Sequence, residues 1–303
     1  MKCRICKKEA CVALRSHNTA FCATCFIDFF ERQVERGIEQ EGLLKKEDKI
    51  LVALSGGKDS LSAMLSLSKL GYDVTGLFVD LVIPGSSEVA RSSVERFCQK
   101  HNIPLLVKDM ANEGLELPLV KSVVRRPICS VCGMIKRYFF NVSAKVGGFS
   151  VLATGHNLDD EVARLFSNTL RWDKRFLSTQ QPGLPEEHGF VRKIKPLWRV
   201  TEFETANYAF LCGIETHYAP CPYSQGASFS VLKTLMHRLE RLMPGKKLDF
   251  YQSFLKHGRP TFAQQSVGKE MITPCVCCGY PTSADGLCGV CRLRDRMQKR
   301  ERN

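Results

Sequence analysis

Short apolar runs alternate with stretches of helical spacing through the first half of the chain. Ile50 to Leu54, Val74 to Val79, Leu105 to Val107 and Ser150 to Thr154 have the length and composition of buried strands. Between them, Ser60 to Leu70, Glu88 to His101 and Gly133 to Val146 place apolar residues on one helical face. This alternation predicts an α/β fold, a parallel sheet with helices on both faces and ligands at the carboxyl ends of its strands. Upstream, Phe26, Phe29, Phe30, Val34 and Ile38 predict a connecting helix. Downstream, Phe203 to Leu211 and Ser228 to Met243 read as helices, while Lys246 to Phe262 has no clear period. Ser178 to Gly189, with its prolines and glycines, reads as a loop.

The first predicted strand runs into Ser55-Gly56-Gly57-Lys58-Asp59-Ser60, and a helix follows. Adjacent glycines let backbone amides approach an anion, and the helix directs its positive end at the same point. The loop therefore predicts a phosphate or pyrophosphate cradle. It is not a Walker A loop, because Lys58 is followed by Asp rather than Ser or Thr.

With 303 residues the chain can hold one large core plus small modules. A formal charge of +13 favours a polyanionic partner without choosing among RNA, DNA and anionic lipid. No run of about eighteen apolar residues marks a membrane span, and no apolar leader is present, so no membrane attachment is expected. Most of the 15 cysteines fall in closely spaced pairs, which points to metal ligation in a reducing cytoplasm rather than to disulfides.

Two such sets are complete. Cys3, Cys6, Cys22 and Cys25 form one pair of CxxC knuckles, and Cys275, Cys278, Cys288 and Cys291 form another. Four thiolates at this spacing suit zinc, with Cys11 and Cys277 as bystanders and Cys98 and Cys212 as core residues. A third CxxC, Cys129 and Cys132, stands alone at a loop-to-helix junction, where a helix end favours thiolates. It reads equally as a redox pair, half a metal site or two buried thiols. Lys136 follows one turn after Cys132, and Cys221 sits apart between Pro220 and Pro222.

The fourth strand leads into Gly155-His156-Asn157-Leu158-Asp159-Asp160-Glu161. Its acids suit helix initiation under an Asn157 cap, or Mg²⁺ and nucleotide handling led by Asp160. His156 suits phosphate contact or a structural role, and Asp80, just after its strand, suits nucleotide contact or a loop cap. Arg164, Arg171, Lys174, Arg175, Arg192, Lys193 and Lys195 interleave with Phe166, Trp172, Phe176 and Trp198, a composition suited to an RNA surface.

Together these motifs resemble the TtuA-type tRNA 2-thiouridine synthetases, a branch of the PP-loop (N-type) ATP pyrophosphatases, over nearly the whole chain. TtcA-type cytidine thiolases share the loop and the central CxxC but lack the two terminal cysteine modules. The resemblance implies an N-terminal zinc module over 1–30, a linker helix over 31–48, a catalytic domain over 49–270, and a C-terminal zinc module with a basic tail over 271–303. It implies nucleotide contacts at Ala53, Ser55, Gly56, Gly57, Lys58, Asp59, Ser60, Asp80, Gly155 and His156. It implies a [4Fe-4S] cluster on Cys129, Cys132 and Cys221, with Lys136 and Asp160 as catalytic groups. The implied cofactors are ATP, Mg²⁺, the cluster and two Zn²⁺. The implied partners are tRNA and either a ubiquitin-like thiocarboxylate carrier or free sulfide, with the chain a cytoplasmic homodimer.

The expected reaction is ATP-dependent thiolation at C2 of uridine, the T-loop position 54 first and wobble uridine 34 or cytidine as rivals. AMP transfer makes the C2 oxygen a leaving group, and three cysteines leave one iron open to hydrosulfide. Alternatives are a persulfide on Cys129 or Cys132 resolved by Cys221, or a zinc-ribbon RNA-binding protein without turnover.

Overall fold

A computed structural model describes residues 1–216, 221–223, 229–264 and 271–301. The chain opens with an antiparallel pair, β1 (Val12–Leu14) and β2 (Thr19–Phe21), followed by α1 (Ala23–Gln40). The alternating region then runs β3 (Lys49–Leu54), α2 (Lys58–Lys69), β4 (Asp73–Asp80), α3 (Ser87–Lys100), β5 (Leu105–Asp109), α4 (Leu117–Val123), α5 (Ile128–Val146), β6 (Val151–Thr154) and α6 (Leu158–Leu170). Next come α7 (Lys174–Thr179), β7 (Gly183–Leu184), β8 (Arg192–Ile194), α8 (Glu202–Leu211), α9 (Phe229–Leu242) and α10 (Lys246–Ser253). A π-helical turn over Phe254–Gly258 joins α10 to α11 (Arg259–Gln264), and β9 (Thr273–Pro274), β10 (Pro281–Thr282) and α12 (Gly289–Glu301) complete the order.

The main sheet has the strand order β5-β4-β3-β6-β8-β7, parallel except for β7. Ile50 on β3 pairs with Val74 on β4 and with Val151 on β6. Alternation along β3 divides the core in two. Ile50, Val52 and Leu54 pack on one face with α1 and α2 side chains, and Leu51 and Ala53 pack on the other with α5 and the second cysteine module. The chain winds from β3 out to β5 and then returns to β6 beside β3. That reversal opens a crevice at the carboxyl ends of β3 and β6, where ligands bind in such sheets.

The helix expected to connect two modules also packs into the core. Phe30 and Val34 on α1 are fully buried, and Phe30 stacks on Tyr208 at 4.0 Å between ring centroids. Gly37 lets α1 approach closely, since a Cβ there would lie 2.9 Å from Trp198 Nε1, which donates to the Gly37 carbonyl at 3.1 Å. The unreadable stretch 246–262 forms helix because α10 packs on α6 and buries Tyr251. The loop expected over 178–189 is interrupted by β7, a short edge strand. Part of the expected helix from Ser228, Pro220, the end of the 49–270 domain and the last residues of the basic tail lie outside the described residues.

Candidate active site

Leu54 ends β3 and Lys58 begins α2, so the glycine loop is a tight strand-to-helix turn. Gly56 has φ +77°, and a Cβ there would come within 2.9 Å of the Ala90 backbone. Gly57 caps α2 with no side-chain hydrogen bond, which leaves the first amides of the helix available to an anion. The Ser55 amide donates to Ser60 Oγ at 3.1 Å, and Ser60 Oγ donates to the Gly57 carbonyl at 3.0 Å. Gly155 lies directly against this turn, since a Cβ on it would stand 2.7 Å from the Ser60 nitrogen. Ala53, near the end of β3, is buried beneath the loop.

Lys58 Nζ donates to Asp59 Oδ2 at 3.1 Å and to Glu202 Oε1 at 2.9 Å. Asn157 Nδ2 donates to Asp59 Oδ1 at 3.0 Å, joining the loop to the head of α6. Burial pushes the Asp59 carboxyl up, against Lys58 and Asn157. Glu202 faces the opposite balance: burial resists its ionisation, yet Lys58 and Lys233 hold its carboxyl at about 2.

The three acids of α6 have separate partners. Asp160 shares a reciprocal cap with Asn157, its amide donating to Asn157 Oδ1 at 3.2 Å, and its Oδ1 lies 2.6 Å from Lys233 Nζ. Asp159 is buried, pairs with buried Lys247 and accepts the Glu202 amide at 2.7 Å. Glu161 is buried and accepts from Lys195 at 2.8 Å and from the Tyr251 hydroxyl at 2.7 Å. Asp159 and Glu161 therefore tie elements together, while Asp160 reaches the crevice through Lys233. Glu202 opens α8 and Lys233 lies within α9, and no local sequence motif marks either as a site residue.

His156 is exposed and its Nδ1 lies 2.8 Å from Thr154 Oγ1. Asp80 Oδ1 accepts the Val82 amide at 2.9 Å, closing a turn in which Val82 has φ +55°, and Arg91 stands 3.7 Å from its other oxygen. One carboxylate oxygen of Asp80 thus caps its loop. In the basic stretch Arg164, Arg171, Lys174 and Arg175 are exposed, whereas Arg192 pairs with Asp48, Lys195 pairs with Glu161, and Trp198 is fully buried. Trp172, 67% exposed, does reach solvent.

Because α5 precedes β6 in a parallel sheet, its N-terminus stands at the same end as the glycine loop. Cys129 and Cys132 occupy its first turns, inside the helix rather than ahead of it. Cys129 Sγ donates to the Tyr223 carbonyl at 3.3 Å, which brings the segment holding Cys221 onto the helix head. Burial pushes the Cys132 thiol up, and the nearby Cys129 and Cys221 add to this, while Lys136 and Arg137 pull it down. The lowered thiol expected from the helix end is thus outweighed by burial. Lys136 is half-buried one turn further along α5.

The remaining ligand sets are compact. The sulfurs of Cys3, Cys6, Cys22 and Cys25 lie within 4.8 Å of one another, as do those of Cys275, Cys278, Cys288 and Cys291, and both sets can hold a metal ion. Burial opposes ionisation of Cys3, but the amides of Cys6, Cys22 and Ile5 bring its thiol to about 6, and Cys275 is held at about 6 in the same way. Neither set includes Cys11 or Cys277.

A PP-loop domain family matches residues 28–215, and the N-terminal LIM domain of the 2-thiouridine synthetase TtuA matches residues 2–27. The tRNA-5-methyluridine(54) 2-sulfurtransferase of Thermus thermophilus is 39% identical over 302 residues, 99% of this chain and 93% of that protein. The chain belongs to the TtuA-type family of PP-loop 2-thiouridine synthetases. Another member of that family, the Pyrococcus horikoshii protein of the same name, is 38% identical over 97% of this chain and 93% of its own. The solved U34-tRNA thiolase NcsA of Methanococcus maripaludis, with its [4Fe-4S] cluster, superposes with a TM-score of 0.80 at 27% identity, over 97% of this chain and 96% of that one. No helix among the described residues is long and apolar enough to cross a membrane.

Proposed function

We propose that the chain transfers AMP from ATP to the C2 oxygen of a tRNA uridine and then replaces that oxygen with sulfur. The observation that carries this reading is the placement of the phosphate-cradling loop and the three cysteines at one end of one sheet. An adenylating loop alone would activate any oxygen; a sulfur centre beside it names the incoming nucleophile. The T-loop uridine 54 is the favoured target, because the relatives named for that position share more identity with this chain than the U34 thiolase does.

In the first step the C2 oxygen bonds to the α-phosphorus and pyrophosphate leaves. Ser55, Gly56, Gly57 and Ser60 receive the phosphates with main-chain and hydroxyl donors, and Lys58 offsets their charge once Glu202 releases it. Asp59 and Asp160 are the carboxylates suited to Mg²⁺, which when bound would screen the phosphate oxygens. Ala53, Gly155, His156 and Asp80 complete the nucleotide surroundings. In the second step sulfur bonds to C2 and AMP leaves with the original oxygen. Lys136 steadies the negative charge that develops there, and Asp160 shares in moving the proton.

The donor set Cys129, Cys132 and Cys221 suits a [4Fe-4S] cluster: three thiols around one helix head, Cys129 exposed and the other two half-buried, with none of them in either four-cysteine set. When bound, the cluster would supply an iron without a protein ligand, the chemistry that holds inorganic sulfur. Each four-cysteine set would hold one Zn²⁺, and the units 1–30, 49–270 and 271–303 would act together as a cytoplasmic homodimer. The sulfur donor would be a thiocarboxylate carrier protein or free sulfide. Release of AMP and pyrophosphate only when uridine-containing tRNA is supplied tests the reading; a chain that binds tRNA and ATP without turnover would be a binding protein instead.

A further inference from the structure

A cavity of about 240 Å³ lies where the second cysteine module meets α5. Arg137 from α5 and Lys193 from β8 both line it, and no acidic residue does. Among the described residues neither cation has a carboxylate partner; the Lys193 ammonium rests 4.7 Å from the centre of the Phe190 ring. Burial and the neighbouring charge of Arg137 hold Lys193 below the usual lysine range, and Cys288 of the second four-cysteine set also lines the cavity. The walls are aromatic. Tyr280 packs on Tyr138 at 4.7 Å and edge-on to Phe190 at 5.7 Å. The positive end of α12 also arrives here at Gly289, where a Cβ would lie 2.3 Å from Met134 Sδ.

We propose that this cavity holds one nucleotide of the tRNA substrate, its phosphate between Arg137 and Lys193 and its base against Tyr280. Unpaired cations beside an aromatic face are what single-stranded RNA recognition uses, the cations neutralising phosphate and the ring accepting a base. Arg137 also lies on the helix that carries Cys129, Cys132 and Lys136, and its charge is felt at Cys132. A strand anchored here would lie beside the helix that carries two of the three cysteines of the sulfur centre. The inference rests on the tRNA-thiolation reading and adds to it a place where the RNA is gripped away from the reacting base.

The test is binding of fluorescent tRNA by the full chain over a range of salt, with Arg137→Ala, Lys193→Ala, Tyr280→Leu and Tyr280→Phe. Arg137→Ala and Lys193→Ala should each weaken binding and lower the slope of log affinity against log salt by roughly 0.7 to 0.9. Tyr280→Leu should weaken binding about tenfold without changing the slope, and Tyr280→Phe, which keeps the ring, should bind like the original chain. ATP binding should be unchanged in all four, which also shows that they fold. Unchanged tRNA affinity and slope in both alanine variants would overturn the inference while leaving the thiolation reading intact. A loss of free-phosphate binding with no loss of tRNA affinity would also overturn it, by making the cavity a small-anion site. Failure of the unmodified chain to bind tRNA at any salt would sink the thiolation reading itself, and this inference with it.

Discussion

Lys58 Nζ reaches Glu202 Oε1 at 2.9 Å across 144 positions of sequence, so the lysine of the glycine loop is already paired before any phosphate arrives. The same carboxylate accepts from Lys233 at 3.3 Å, and Lys233 in turn pairs with Asp160. Glu202 thus stands between the two cations of the crevice in the place of an anion.

This pairing predicts an acid-sensitive contribution to stability. Glu202 is held at about 2, below its usual value near 4.5. Its contribution is complete above the unfolded value and is lost as pH falls toward the folded one. Denaturant midpoints measured from pH 6 to pH 3 should fall more steeply below pH 4.5 for the original chain than for Glu202→Gln. Parallel curves would refute the contribution.

The acids of α6 should separate by role. Asp159→Asn leaves buried Lys247 without its charge partner and should destabilise the chain by about 3–5 kcal/mol. Asp160→Asn should cost roughly 1 kcal/mol through the weakened cap while removing most turnover. Equilibrium unfolding and AMP release on the same two variants check this, and equal stability losses would count against it.

The helix α1 should behave as core. Phe30→Ala removes a fully buried ring stacked on Tyr208 and should cost about 3–5 kcal/mol in urea unfolding of the whole chain. A loss below about 1 kcal/mol would mean that the helix is only a tether.

Much of this architecture is legible in the residues themselves. Strands read clearly because a parallel sheet covered on both faces needs continuous apolar runs such as Ile50 to Leu54, and the knuckles read clearly because ligand spacing is local. Other features depend on contacts distant in sequence. Nothing around Phe30 says that Tyr208 will cover it, and nothing around Lys233 says that it will meet Asp160. The helix-end effect on Cys132 was sound as local chemistry, but burial decides its direction, and burial belongs to the assembled fold.

The two compact sulfur sets can each hold a metal ion. Elemental analysis should find two zinc ions per chain, and Cys275→Ser should lose one of them along with the thermal stability of the second module. Retention of both zinc ions in that variant would show that this set is not a ligand shell.

The most direct test of the central claim is a single turnover under anaerobic conditions with ATP, tRNA and sulfide, followed by mass spectrometry of the tRNA nucleosides and measurement of AMP. The chain should carry iron and sulfide and yield one 2-thiouridine per AMP, and Cys221→Ser should yield no 2-thiouridine while still binding ATP. Thiolation by iron-free protein, or by Cys221→Ser at the original rate, would contradict it.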